Sequence, residues 1–124
     1  MITADEVFAA KERKRNPPAV WHHNVYVIEL DPEVLKDRKF RNANPDHDPA
    51  TPCFYVGATG MSPTMRFINH QRGYKSNRYA KKYGRRLRPD LFEFYNPMPY
   101  EAALTLEAEL AEALREDGHA VWQA

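Results

Sequence analysis

Three groups of residues have side chains and spacings suited to chemistry. The first is Glu107. With about 100° per residue and Leu106 at the origin, Ala103, Leu104, Leu110, Ala111, Ala113 and Leu114 fill one arc of a helical wheel. Glu101, Glu109, Glu112 and Glu116 gather on the opposite side, as a solvated face requires. Glu107 falls inside the apolar arc, between Leu114 and Ala111. A carboxylate aimed at a core is costly unless it is paired or coordinates a metal. Two readings therefore stand: a partner for an arginine of a neighbouring element, or a metal ligand or general base at the edge of the core. Asp117 projects toward the same arc from the helix end.

The second group is Arg66 and His70, four positions apart and so stacked on one helix face. Arginine fits phosphate bidentately, and histidine exchanges a proton near neutral pH. Spacing alone favours an ordinary surface pair. The third group is the strand tyrosines. Tyr26 shares a face with Ile28 and Leu30, and Tyr55 shares one with Cys53 and Gly57. A tyrosine in a strand is ordinarily a packing residue. Glycine at a strand end lets a backbone or ligand come close. Cys53 opens an apolar strand and reads as core. Asp46-His47-Asp48, flanked by prolines, reads as a solvated loop rather than a metal site.

Charge separates along the chain. The formal net charge is +1, yet nine of the 18 basic residues lie between Arg66 and Arg88, a stretch without Asp or Glu. Arg72, Lys75, Arg78, Lys81, Lys82, Arg85 and Arg86 belong to it, with Tyr74, Tyr79 and Tyr83 interleaved. Such a stretch neutralises phosphates while its rings stack or pack on sugars. A solvated face with snorkelling stems is the alternative.

These groups need elements to hold them. A length of 124 residues points to one domain. Residues 3–15 read as a short helix, with Thr3 and Glu6 at capping-box spacing and Asn16-Pro17-Pro18 as its stop. An arm over 1–18 then precedes a domain over 19–124. Strands are expected at 25–30, 53–57 and 91–95. Asp31-Pro32 caps a short helical turn through Phe40, and 41–52 is a loop by composition. Ser62-Pro63 starts a helix that Gly73 ends, and 77–83 forms another short helix. A long helix covers roughly 100–116 and stops at Gly118, after which Val121-Trp122 adds a short strand or merely packs. The expected fold is an α+β sandwich: a small three-stranded, largely antiparallel sheet flanked by helices.

One cysteine leaves no intramolecular disulfide and fits a reducing compartment, the cytoplasm. No run of about 18 apolar residues predicts a membrane helix. The N-terminal MITADEVFAAKERKR has early acids and no apolar stretch, so it does not read as a secretory signal.

Taken in order, the pieces resemble the GIY-YIG endonuclease superfamily. Asn24-Val25-Tyr26 stands for the first motif and Tyr55-Val56-Gly57 for the second. The following helix carries Arg66 and His70, and Glu107 lies in an apolar helix as the family's acidic residue does. The resemblance covers about residues 23–115. It departs from the family at Asn24, where the first motif has glycine, and at 31–52, which becomes an insertion. Gln123 is at best a loose substitute for an asparagine that many members carry near the domain's end.

The resemblance implies metal-assisted hydrolysis of a phosphodiester, in DNA rather than RNA, by a stand-alone nuclease domain. Glu107 would hold one divalent cation, Mg²⁺ or else Mn²⁺. Arg66 would clamp a non-bridging oxygen, and Tyr26 would act on the attacking water. Tyr55 and His70 would orient water or phosphate, and the basic segment after Arg66 would hold the backbone. The alternative is a binding module that keeps the fold without cleaving.

Overall fold

A computed structural model describes residues 21–124 together with Thr3, Ala4 and Glu6. The arm expected over 1–18 otherwise lies outside the described residues, although the capping bond is present: Glu6 N–H donates to Thr3 Oγ1 at 3.1 Å.

Four strands form one sheet: β1 (Asn24–Leu30), β2 (Cys53–Thr59), β3 (Gly84–Leu87) and β4 (Ala120–Gln123), in the order β3-β1-β2-β4. β1 and β2 run antiparallel with Tyr26 opposite Gly57 and Ile28 opposite Tyr55. β3 is antiparallel to β1, whereas β4 is parallel to β2, with Tyr55 beside Trp122 and Val56 beside Gln123. β-Branched and aromatic residues suit these strands, and β1 and β2 are almost wholly buried because helices cover both faces.

The helices are α1 (Arg38–Asn42), α2 (Pro63–Arg72), α3 (Arg78–Tyr83) and α4 (Tyr100–Glu116). Ser62 caps α2 by accepting from Met65 N–H, Pro63 takes the first helical position, and Gly73 closes it at φ 81°. Asn77 caps α3, with its Oδ1 accepting from the amides of Tyr79 and Ala80. α1, α2 and α3 lie over the Tyr26 and Tyr55 face, where Phe40, Tyr79 and Trp122 pack ring to ring and Tyr26 meets His70. α4 covers the other face against β1, β2 and β4.

The sheet corrects the sequence reading in two places. Leu91–Tyr95 is not a strand: it folds as two 3-10 turns, Pro89–Leu91 and Glu93–Tyr95. Pro89 has no N–H to give a ladder and pre-sets a turn. Phe92 and Tyr95 are buried and Phe94 is exposed, a spacing of three that fits a turn rather than a strand. The third strand lies earlier, inside the basic run, and Val121-Trp122 completes a fourth. Leu104 also leaves the apolar arc of α4 and is exposed.

The expected insertion is built into the core. Asp31 caps a 3-10 turn at Pro32–Lys36, and Asp37 caps α1, which buries Phe40. Behind it Asn44 uses every bonding position of its amide. Its Nδ2 donates to the carbonyls of Phe40 (2.9 Å) and Val121 (3.1 Å). Its Oδ1 accepts from Val121 N–H (2.8 Å) and Arg115 Nε (3.3 Å). One side chain thus ties the segment after α1 to β4 and α4.

Candidate active site

Tyr26 lies at the centre of the site because β2 offers it a gap. A Cβ added at Gly57 would stand 2.5 Å from the Tyr26 hydroxyl oxygen, so only glycine lets the phenol lie across the neighbouring strand. The hydroxyl then meets His70, which projects from α2 and is fully buried. The Tyr26 oxygen and His70 Nε2 are 2.8 Å apart.

The histidine's other nitrogen fixes the direction of that bond. Asn77 N–H donates to His70 Nδ1 at 3.2 Å, so Nδ1 carries no proton. Burial, together with the Arg66 charge, lowers the His70 pKa to about 4, so the ring is neutral at pH 7. A neutral ring with a bare Nδ1 holds its proton on Nε2. His70 therefore donates to the Tyr26 oxygen.

Two further groups act on the same hydroxyl. Burial raises the Tyr26 pKa on balance, while the Arg66 charge and the polar groups of Arg66 and Tyr55 work against that rise. Tyr55 is raised too, and strongly, by burial first and then by Tyr26 beside it. The rings sit at centroid distances of 6.1 Å (Tyr26 to Tyr55) and 5.3 Å (Tyr55 to His70). Burial thus keeps Tyr26 a neutral phenol, and the His70 N–H and the Arg66 charge are the groups that favour its phenolate.

Arg66 also shapes the chain beyond α2. Its guanidinium donates to the carbonyls of Lys75 (2.8 Å) and Tyr74 (3.4 Å). It is half-buried, and with His70 buried beneath it the two do not form a surface pair.

Glu107 comes from the other layer. It is 5% exposed, and its Oε1 accepts from Gln123 Nε2 at 3.3 Å. Burial raises its pKa while the Gln123 bond works against that rise. It has no ion pair with any described residue, so the arginine partner allowed by the sequence is not found. Nor does it bond directly to the four residues across the sheet, although its charge raises the pKa of Tyr26 and of Tyr55. Tyr26, Tyr55, Arg66 and His70 therefore form one cluster, and Glu107 borders it.

Sequence reasoning did not find three supporting asparagines. Asn24 Nδ2 donates to Met61 O at 3.1 Å and so pins the turn that leads into α2. A glycine there has no side chain to do so. Asn96 pairs with both backbone groups of Val25, accepting from its N–H and donating to its carbonyl, each at 2.8 Å. It stands in for a strand beside Tyr26. Asn77 holds His70 as described. Only Asn24 was marked in the sequence, as a departure from the motif.

Tertiary structure also divides the basic run. Arg86 and Arg88 pair with Glu29, Arg88 with Asp90, Arg78 with Asp37, and Arg85 approaches Asp31 at 3.8 Å. The stretch without acids in sequence receives them from β1 and the segment after it. Arg72, Lys75, Lys81 and Lys82 form no ion pair with a described residue. A surface cavity at the opposite end of β2, lined by Asn44, His47, Glu112, Arg115 and His119, includes none of the cluster.

Among the described residues no three His, Cys, Asp or Glu side chains gather to hold a metal. Glu107 is nevertheless a buried carboxylate with no neutralising cation among the described residues, next to the amide of Gln123. Oxygen donors of this kind suit a hard cation that keeps most of its waters. Set against models of known families, curated proteins and solved structures, the chain matches none.

Proposed function

We propose that the chain is a divalent-cation-dependent endonuclease that hydrolyses phosphodiester bonds in nucleic acid, DNA in the first instance, in the cytoplasm. One observation carries this reading: the Tyr26 hydroxyl lies over Gly57 and meets the buried His70, with Tyr55 and the Arg66 charge acting on the same group. The order of residues that resembles the GIY-YIG superfamily supports it independently.

Tyr26 is the general base or water-orienting group. A free tyrosine has a pKa of about 10, so it serves as a base only where its phenolate is stabilised. Burial holds the Tyr26 pKa up in the structure as it stands; the His70 N–H and the Arg66 charge oppose that rise, and a cation bound nearby would add to them. Arg66 also has the fork geometry to hold a non-bridging phosphate oxygen, and its bonds to Tyr74 O and Lys75 O hold it near the surface. Glu107 and the Gln123 amide oxygen are the groups that would hold Mg²⁺ or Mn²⁺. When bound, that ion supplies charge stabilisation at the phosphate and leaving oxygen. His70 stays neutral and donates; with a pKa near 4 it does not act as the general acid at pH 7.

The test is nicking of plasmid DNA by the pure protein with Mg²⁺ or with EDTA. Cleavage that needs the metal and is lost in Glu107→Ala is expected. Cleavage by Glu107→Ala at the wild-type rate would sink the mechanism. Salt-sensitive binding without any cleavage would instead favour the binding module.

A further inference from the structure

The turn between α2 and α3 carries the largest exposed aromatic surface near the cluster. Tyr74 is 59% exposed, although a ring of this size usually buries much of its area. Its backbone is nonetheless held on three sides. Tyr74 N–H donates to Asn69 O at 2.9 Å, and Arg66 bonds to the carbonyls of both Tyr74 and Lys75. Gly73 at φ 81° and Lys75 at φ 46° turn the chain sharply on either side. A lysine in that region is uncommon and persists only where its surroundings over-determine it.

The same turn gathers the free half of the basic run. Lys75 Nζ stands 5.6 Å from the centroid of the Tyr74 ring. Lys81 Nζ reaches back over Gly73, 3.0 Å from where a Cβ there would be. Arg72 precedes them. None has a carboxylate partner among the described residues, in contrast to Arg78, Arg85, Arg86 and Arg88.

We propose that Tyr74 is a stacking platform for an unpaired base, and that Arg72, Lys75 and Lys81 hold the phosphates on either side. The proposal rests on the nucleic-acid reading above and deepens it: the preferred substrate is single-stranded or locally unpaired nucleic acid. In a duplex the base faces are already stacked on each other, so an exposed ring gains contact only where a base is free. Base–aromatic stacking tolerates any base, so the site selects strand state rather than sequence. Arg66 bonds to the platform's backbone and its charge acts on Tyr26, so a base on Tyr74 sets the adjoining phosphates beside the cluster.

The experiment measures binding in EDTA, so cleavage plays no part. Labelled single strands of about 12 nucleotides, of DNA and of RNA, are compared with a DNA duplex of equal length at one fixed salt concentration by fluorescence anisotropy. Single strands are expected to bind at least about tenfold tighter than the duplex. Tyr74→Ala should weaken single-strand binding about tenfold and duplex binding less than about twofold, while Tyr74→Trp keeps the wild-type affinity. The DNA and RNA arms identify which nucleic acid is preferred. Equal or tighter duplex binding, no binding at all, or a Tyr74→Ala variant that binds single strands as the wild type does would overturn the proposal. Metal-dependent plasmid cleavage alongside any of those outcomes would leave the nuclease reading standing.

Discussion

Two buried polar hubs sit at opposite ends of β2, and they are built to different rules. At the Cys53 end Asn44 spends its whole amide on four bonds to three neighbours and carries no charge. At the Gly57 end Tyr26, Tyr55, His70 and Glu107 are also buried, yet every one of them titrates and every one has a displaced pKa. A satisfied neutral amide fixes a chain crossing at little electrostatic cost. Titratable groups pressed together in a core cost stability unless they serve something else. On the proposed reading, the contrast separates a hub that holds the fold from one that would hold chemistry.

Tyr26→Phe breaks the contrast most directly. It removes the hydroxyl but keeps the ring over Gly57, so cleavage is expected to fall by about 100-fold or more. Urea unfolding should lose only about 1 kcal/mol, since the single buried His70 N–H is left without its acceptor. Asn44→Ala should cost more stability and no activity, about 2–3 kcal/mol in urea unfolding, by orphaning Val121 N–H and its neighbours. Its cleavage rate per folded molecule should match the wild type. Equal losses of activity in the two variants would erase the distinction.

Gly57→Ala tests the gap under the phenol. The added methyl must displace the Tyr26 hydroxyl, so about 1–3 kcal/mol of stability and most of the activity should be lost together. A fully active variant would show that Tyr26 need not lie where it does.

The pH dependence sharpens the comparison further. His70 titrates at about 4 in the folded chain, against 6.5 as its ordinary value. Between those values the unfolded chain binds the proton and the folded chain does not. The contribution is therefore complete above 6.5 and is lost as pH falls toward 4, by about 3 kcal/mol at most. Glu107 acts with the opposite sign: its pKa is raised, so its penalty grows as pH rises above 4.5. Urea unfolding at pH 7 and pH 4.5 should show a smaller difference in His70→Gln than in the wild type. Asn44→Ala should keep the wild-type difference. The smallest expected effect concerns the basic run. Reversing Lys75 and Lys81 to Glu should weaken nucleic-acid binding several-fold more than reversing Arg85 and Arg86, since the latter already face Asp31 and Glu29. Salt-dependent anisotropy titrations check it.

Local signals were strong where the chain alone sets geometry. Ser62-Pro63 and Gly73 bound α2 because a cap, a fixed φ and a left-handed residue act within one turn. Glu107 was legible for a similar reason: helical period alone assigns a face, and the structure buries it. The strand at 91–95 was misread because an aromatic run there resembles a strand whether or not a partner is free. β3 was missed because Gly84-Arg85-Arg86-Leu87 has strand form only through pairing with β1.

The sequence by itself determined β1, β2, the start and stop of α2, the span of α4, and which tyrosines, arginine, histidine and glutamate could do chemistry. Only tertiary structure decided which nitrogen of His70 holds the proton, because that depends on Asn77, seven residues away across a turn. It likewise decided that the basic run is half neutralised. Acids from Glu29, Asp31 and Asp37 reach it through strand pairing and packing, contacts that sequence distance does not encode. Periodicity and capping act over a few residues, whereas charge compensation and tautomer choice depend on what the fold brings within hydrogen-bond reach.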